Sequence, residues 1–253
     1  MPLINNKMII SWRTLGLSLL LAVVVGLSSI GEPIDRVYDA AVGRVAYRPV
    51  SGDIVVVGVD DRSVARSPDG RFSRTDAAAL IDAINKAGPR RLFVDFDYQR
   101  REGDTGLAQV AAAARRMGDR VVLAVSTRSA PGKDQLVTHF PDPAFGDQAR
   151  RASIAWEYEF WQVWRVPLMY ETEGRLLPSF AAVLAGKSAD SPASFRIDLT
   201  YDPRTIREYS AVDVIEGKVG ARDLAGKDVI FGPPASVLDD RHYLPGTRSW
   251  PGR

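Results

Sequence analysis

Residues 53–61 read DIVVVGVDD and residues 90–97 read RRLFVDFD. Each is a short, unbroken apolar run that ends in a pair of acids, Asp60 with Asp61 and Asp95 with Asp97. A strand with one wet face alternates apolar and polar residues. These runs do not alternate, so the pattern predicts strands buried on both faces, as in a parallel sheet. Between them Ser73 and Asp76 form a capping-box-like start, Ala77, Leu80, Ile81 and Ile84 share one helical face, and Gly88-Pro89 stops the helix. Farther along, a helix is expected after Asp104, with Leu107, Val110, Ala111 and Ala114 on one side, then a third strand over 121–125. Strand, helix, strand, helix, strand predicts right-handed crossovers and an α/β fold, a mostly parallel sheet covered by helices on both faces.

The C-terminal half reads as mixed α+β. Residues 128–150 are rich in Pro, Gly and charge and look like a long loop or boundary insertion. WEYEFWQVWRVPLMY (156–170) alternates and reads as one or two strands. Pro178 is expected to open a short helix closed by Gly186, FRIDLTY (195–201) to be an alternating strand, 210–217 a short helix, and GKDVIFG (226–232) a final buried strand of the main sheet.

From Thr14 to Gly31 the chain has 18 residues without a charge. As a helix this run spans roughly 27 Å, close to a bilayer core of about 30 Å. Lys7 and Arg13 precede it, and Glu32 and Asp35 follow. The pattern predicts a cytoplasmic N-terminus at 1–13, a transmembrane helix at 14–31 and an extracytoplasmic domain at 32–253, a single-pass protein of the inner membrane. A cleaved signal peptide with its apolar region at 15–25 and the small residues Gly26 and Ser28 is the alternative, and it exports the same domain. Beyond it Tyr38, Ala41, Val42 and Val45 mark a helix with one apolar stripe running toward Pro49.

Composition narrows the chemistry. The chain has 253 residues, 33 Lys and Arg against 31 Asp and Glu, 45% hydrophobic residues, no cysteine and two histidines, His139 and His242. Disulfides, thiolate nucleophiles and iron–sulfur or thiolate zinc sites are excluded, and a neutral domain gives no electrostatic reason to bind nucleic acid. No cofactor is expected. AAVLAGKS (181–188) lacks the first glycine of a phosphate loop and reads as a helix stop, and neither a dinucleotide-binding glycine motif nor a serine elbow is present.

The acids carry more information. If the first two strands are neighbours, Asp60, Asp61, Asp95 and Asp97 share one carboxyl edge, where open α/β sheets bind ligands. Asp60 and Asp61 can cap the following loop, Asp95 can pair with Arg74, Arg90 or Arg91, and the group can hold a cation. Arg74 is the better-placed counter-ion, because Arg90 and Arg91 enter the second strand at its opposite end. FVDFD also weakly resembles the DxD start of metal-assisted phosphotransferases. His242 beside Asp239 and Asp240 reads as loop capping. Trp156, Tyr158 and Phe160 on one strand face, with Trp161 and Trp164 following, can pack on the sheet, line a ligand cleft or form a homodimer contact.

The order of these features resembles a known family. The apolar N-terminal helix is followed by IVVVGVDDRS (54–63), SRTDAAALIDAINKAGPRRLFVDFDY (73–98), the helix after Asp104 and VVLAV (121–125). RVPLMYETEGRLLPSFAAVLAG (165–186), SAVDVIEG (210–217) and LAGKDVIFGPPASVLDDRHYLPG (224–246) come later. Together they resemble the CHASE domain of the second class, the sensory extracellular domain associated with cyclases and histidine kinases, over about residues 33–253. The usual D-G-x-x-R turn before the mid-domain strand is absent, and residues 156–165 stand in its place. The resemblance implies a sensory input domain without catalytic residues. A small ligand or periplasmic partner would bias a cytoplasmic cyclase, kinase or diguanylate cyclase/phosphodiesterase that this chain does not contain. The candidate ligand residues are Asp60, Asp61, Ser63, Arg74, Asp95, Asp97, Trp156 and Tyr158. The competing reading is an anchored, cation-dependent phosphate-ester hydrolase using Asp95 and Asp97.

Overall fold

The computed structural model describes residues 12–27, 32–45, 48–66, 71–99, 106–129, 136–159 and 162–232. Two helices come first, α1 (Trp12–Leu27) and α2 (Glu32–Val45), then a short strand β1 (Arg48–Pro49). The first half continues through β2 (Ile54–Gly58), α3 (Asp61–Val64), α4 (Arg74–Ala87), β3 (Arg91–Val94), α5 (Leu107–Met117), β4 (Val121–Ser129), β5 (Leu136–His139) and β6 (Arg150–Ser153). The second half adds β7 (Glu157–Glu159), β8 (Gln162–Thr172), β9 (Arg175–Pro178), α6 (Phe180–Ala185), β10 (Ala193–Arg196) and β11 (Tyr201–Asp202). It closes with β12 (Arg207–Ser210), α7 (Ala211–Ile215), α8 (Ala221–Leu224) and β13 (Asp228–Gly232).

The seven-stranded main sheet runs β12-β2-β13-β3-β4, with β6 and β5 both pairing with β4, and every pair is parallel except β4 with β5. The steps β2 to β3, β3 to β4 and β12 to β13 all advance the same way along this order. A right-handed crossover that advances the same way leaves its helix on the same face. Accordingly α4, α5, α7 and α8 share one core with Val55, Val57, Leu92, Val94, Val121, Leu123, Val229 and Phe231. The expectation of helices on both faces needs correction. Among the described residues only the short α6 packs on the other face, its Val183 joining Phe93, Val122 and Ala152, while Ile54 and Val56 stay half-buried. The chain returns from β6 to β12 through a separate antiparallel sheet, β10-β8-β7 with β9 on β8, and among the described residues that path supplies a single α-helix.

Local signals place the helix ends. Ser73 Oγ accepts from Asp76 N at the start of α4, and Gly88 ends that helix in the left-handed region at φ 74°. The helix after Asp104 starts at Leu107 with Gly106 as its cap, and Asp104 itself lies outside the described residues. Pro178 ends β9 rather than opening α6, because Ser179 is the cap and accepts from Ala182 N. The 156–170 segment folds as two strands, β7 and β8. The single strand expected over 195–201 is interrupted: β10 ends at Arg196 and β11 begins at Tyr201. Asp198 accepts from Thr200 N and Oγ1, a local turn that outcompetes the ladder.

The expected transmembrane helix at 14–31 is not supported. Helix α1 has 16 residues and ends at Leu27, and among the described residues no helix is long and apolar enough to cross a membrane. A run without charge measures how far apolar sequence extends, not how far one helix does.

Asp228 organises the amino ends of the central strands. Its side chain is 1% exposed and receives Arg90 Nε and Nη2 at 3.1 and 2.6 Å and Arg91 Nε and Nη2 at 2.8 and 2.7 Å. Arg91 also donates to the Val183 and Leu184 carbonyls of α6. Burial alone would raise this carboxyl, but the two guanidiniums prevail and hold it below its ordinary 3.8. Its contribution to stability is therefore complete above that value and is lost as acid protonates the folded state. Asp228→Ala is expected to lower the unfolding free energy by about 3–5 kcal/mol, since it strands two cations, one of them mostly buried. Chemical denaturation at neutral pH measures it, and a loss below about 1 kcal/mol would show that the pairing only decorates the sheet edge.

Candidate functional site

The carboxyl edge of the main sheet gathers most of the candidate residues, in an arrangement the sequence did not predict. Strands β2 and β3 are not neighbours, because β13 lies between them and hydrogen bonds to both. The ladder runs past the strand ends, with Val59 N donating to Gly232 O at 3.1 Å and Asp95 N to Phe231 O at 2.8 Å. Two strand spacings are about 10 Å, so the acids form two separate pairs rather than one cluster of four. Gly232, at the end of β13, lies beside Asp95: a Cβ there would come within 3.2 Å of Asp95 Cβ. Among the described residues no group of three or more Asp, Glu, His or Cys could hold a metal ion.

The first pair is structural in its bonding. Asp60 caps α3, and its Oδ1 accepts from Ser63 N at 2.9 Å, Ser63 Oγ at 2.6 Å and Ser210 Oγ at 2.9 Å. Ser63 is fully buried, and its Oγ accepts in turn from Val212 N at the start of α7. Burial opposes ionisation of Asp60, yet the Ser63 and Ser210 hydrogen bonds, with Arg62 nearby, hold the carboxyl below its ordinary value. Asp61 is exposed in the first turn of α3, where the helix dipole favours an acid. Arg62 pairs with Asp213 of α7 through both oxygens at 2.8 and 2.9 Å, and these bonds, with Lys218 beside them, pull the Asp213 carboxyl down to about 2.

The second pair is surrounded by different groups. Asp97 Oδ2 lies 3.9 Å from His139 Nδ1, and Gln99 Nε2 shares a 2.7 Å hydrogen bond with the same nitrogen. His139 stands on β5 opposite Ser126 of β4, so their side chains point to the same face of the sheet. Ser126 Oγ and Thr127 Oγ1 are buried without a hydrogen-bond partner. Arg74 Nη2 donates to the Gln99 carbonyl at 2.8 Å, and its guanidinium lies 5.8 Å above the ring of Tyr98. Arg74 thus bonds a backbone carbonyl at the strand end just past Asp97. Tyr98 is buried, which pushes its hydroxyl above the ordinary range. Arg90 and Arg91 do enter at the opposite end, where Asp228 takes both.

The two described aromatic candidates lie in different local settings. Trp156 follows the carboxyl end of β6, outside any strand, and is 36% exposed. Tyr158 is in β7 of the other sheet, opposite Val163, with a register shift between Glu157 and Tyr158 that breaks the alternation expected from the sequence. Phe160, Trp161 and the 239–242 acid and histidine group lie outside the described residues. Sequence reasoning passed over His139 and Gln99. His139 ends a short apolar strand after a Pro-Gly loop, and only the pairing of β5 with β4 brings it to Asp97.

The family model of the CHASE2 domain matches residues 16–253. No curated protein and no solved structure matches the chain.

Asp60 supports α3 and the start of α7 with one oxygen. Asp60→Ala leaves the buried Ser63 hydroxyl and the half-buried Ser210 hydroxyl without this acceptor and should lower the unfolding free energy by about 1–3 kcal/mol. A denaturation midpoint equal to that of the wild type would instead leave Asp60 available as a ligand group.

Proposed function

The chain belongs to the CHASE2 family of extracellular sensory domains of signal-transduction proteins, and from that premise we propose that it is the input module of a receptor. Its ligand is a small polar molecule held at the carboxyl edge by Asp97, His139, Gln99 and Ser126. The observation that carries the sensory reading is the family match over residues 16–253. The edge supports the placement: it is where open parallel sheets take ligands, and it combines an acid, an imidazole, an amide and the Ser126 hydroxyl, which are not all engaged with one another. Binding there would bear on β5. Thr138 of β5 bonds Thr172 of β8, which gives a contact between the main sheet and the antiparallel one. A ligand shifts such a contact only by the difference in its affinity for two arrangements. The output it controls is of cyclase, kinase or diguanylate cyclase/phosphodiesterase type.

No specific observation favours the hydrolase reading. Asp60 is committed to Ser63 and Ser210, and β13 separates it from Asp95.

A thermal-shift screen of polar metabolites tests the proposal. A hit should raise the melting temperature of the wild-type chain, with about 2.7 kcal/mol of stabilisation at a hundredfold excess over Kd. His139→Ala and Asp97→Ala should each abolish that response. An undiminished response in both variants would place the site elsewhere. Magnesium-dependent cleavage of a phenyl phosphate ester, lost in Asp95→Asn, would make the protein an enzyme instead.

A further inference from the structure

Helix α2 rests on the domain along one side. A Cβ at Gly43 would lie 2.8 Å from Leu199 Cβ and 2.9 Å from the Leu199 carbonyl oxygen, so the helix backbone sits directly on the segment after β10. One turn earlier, Asp39 Oδ2 lies 3.5 Å from Arg196 Nη1. The opposite side is apolar and exposed: Val37 is 71% exposed, Tyr38 68% and Val45 84%, with Ala41 exposed between them. At roughly 100° of turn per residue, Tyr38, Ala41 and Val45 form a stripe whose centre lies about 180° from Gly43. The spacing from Ile34 through Tyr38 and Ala41 to Val45 is four, three, four. That is the a and d repeat of a two-stranded coiled coil, narrower than the stripe a globular core requires.

We infer that α2 pairs in parallel with α2 of a second copy of this chain, along Tyr38, Ala41 and Val45. In a parallel two-fold pair every seam residue meets its own counterpart, so a charge on the seam would face a like charge. The seam carries none, and the charged residues Asp35, Arg36, Asp39 and Arg44 all lie off the stripe. A partner of another kind would have no charge on this stripe to recognise, and its one polar group is the Tyr38 hydroxyl. Ala41 is small enough to let the helix axes approach between Tyr38 and Val45, and Val37 and Val42 flank the stripe with further apolar surface. The exposed side chains offer on the order of 400 Å² per copy, or about 800 Å² in total, less than the roughly 1,200–2,000 Å² of a permanent specific interface. The pair is therefore reversible, and it stands independently of where a ligand binds.

The chain has no cysteine, which permits a clean test. Single cysteines replace Val37, Tyr38, Asp39, Ala41 and Val45 in the full chain in cells, which are oxidised and analysed on non-reducing gels. Apart from Asp39, whose ion pair is exposed, these are surface apolar positions, so the core is untouched. Disulfide-linked dimer should peak at Tyr38→Cys, Ala41→Cys and Val45→Cys, about tenfold above Asp39→Cys, because only facing Cβ atoms come within bridging distance. Adding Ala41→Arg to Val45→Cys should cut the cross-link about fivefold by setting like charges across the seam. A flat profile, a maximum at Asp39 or an unchanged cross-link with Ala41→Arg would overturn the pairing. So would a seam shielded from thiol reagents in a monomer, which would mean that residues 233–253 of the same chain cover it.

Discussion

Strand β13 lies between β2 and β3, so the middle of the main sheet is completed by the last of its strands in the chain. Until it arrives, β2 and β3 have no partner on their facing edges. Asp228 at its amino end is what marks the register. A buried carboxylate between two arginines gains little net energy over an apolar substitute, but slipping the strand by one residue would strand all three charges. Arg91 extends the constraint to the sparsely covered face, where its bonds to the Val183 and Leu184 carbonyls supply partners for α6.

That central strand also decides what the carboxyl edge can do. By standing between the two acidic strand ends it separates Asp60 from Asp95, and the glycine that ends it leaves room beside Asp95. Asp60 is drawn into the cap of α3 and the hydroxyls of Ser63 and Ser210, a rigid corner tying β2 to β12 and α7. Asp97 instead lies 3.9 Å from an imidazole that shares a hydrogen bond with the Gln99 amide and stands on the antiparallel edge strand β5. The two ends of similar sequence thus differ in role because their neighbours differ.

The uneven covering of the sheet has the same origin. Three crossovers that advance in one direction stack four helices on one face, and the long return through β7–β10 has only α6 to set on the other. The second sheet and the face of α2 away from Gly43 are left at the periphery.

The sequence by itself determined what depends on near neighbours. The unbroken apolar runs at 54–58 and 91–94 are strands of the main sheet, Ser73 and Gly88 bound α4, and the order of motifs identified the family that matches residues 16–253. These follow from periodicity, capping and turn chemistry, which act over a few residues. Only the tertiary structure decided that Asp228 pairs with Arg90 and Arg91 across more than a hundred residues of chain, that Asp60 is committed while Asp97 meets His139, and that no helix among the described residues is long and apolar enough to cross a membrane. Strand order is not written in any one segment, because a parallel strand fits equally well beside several others. It is chosen by which crossovers, charges and side-chain volumes can be satisfied together.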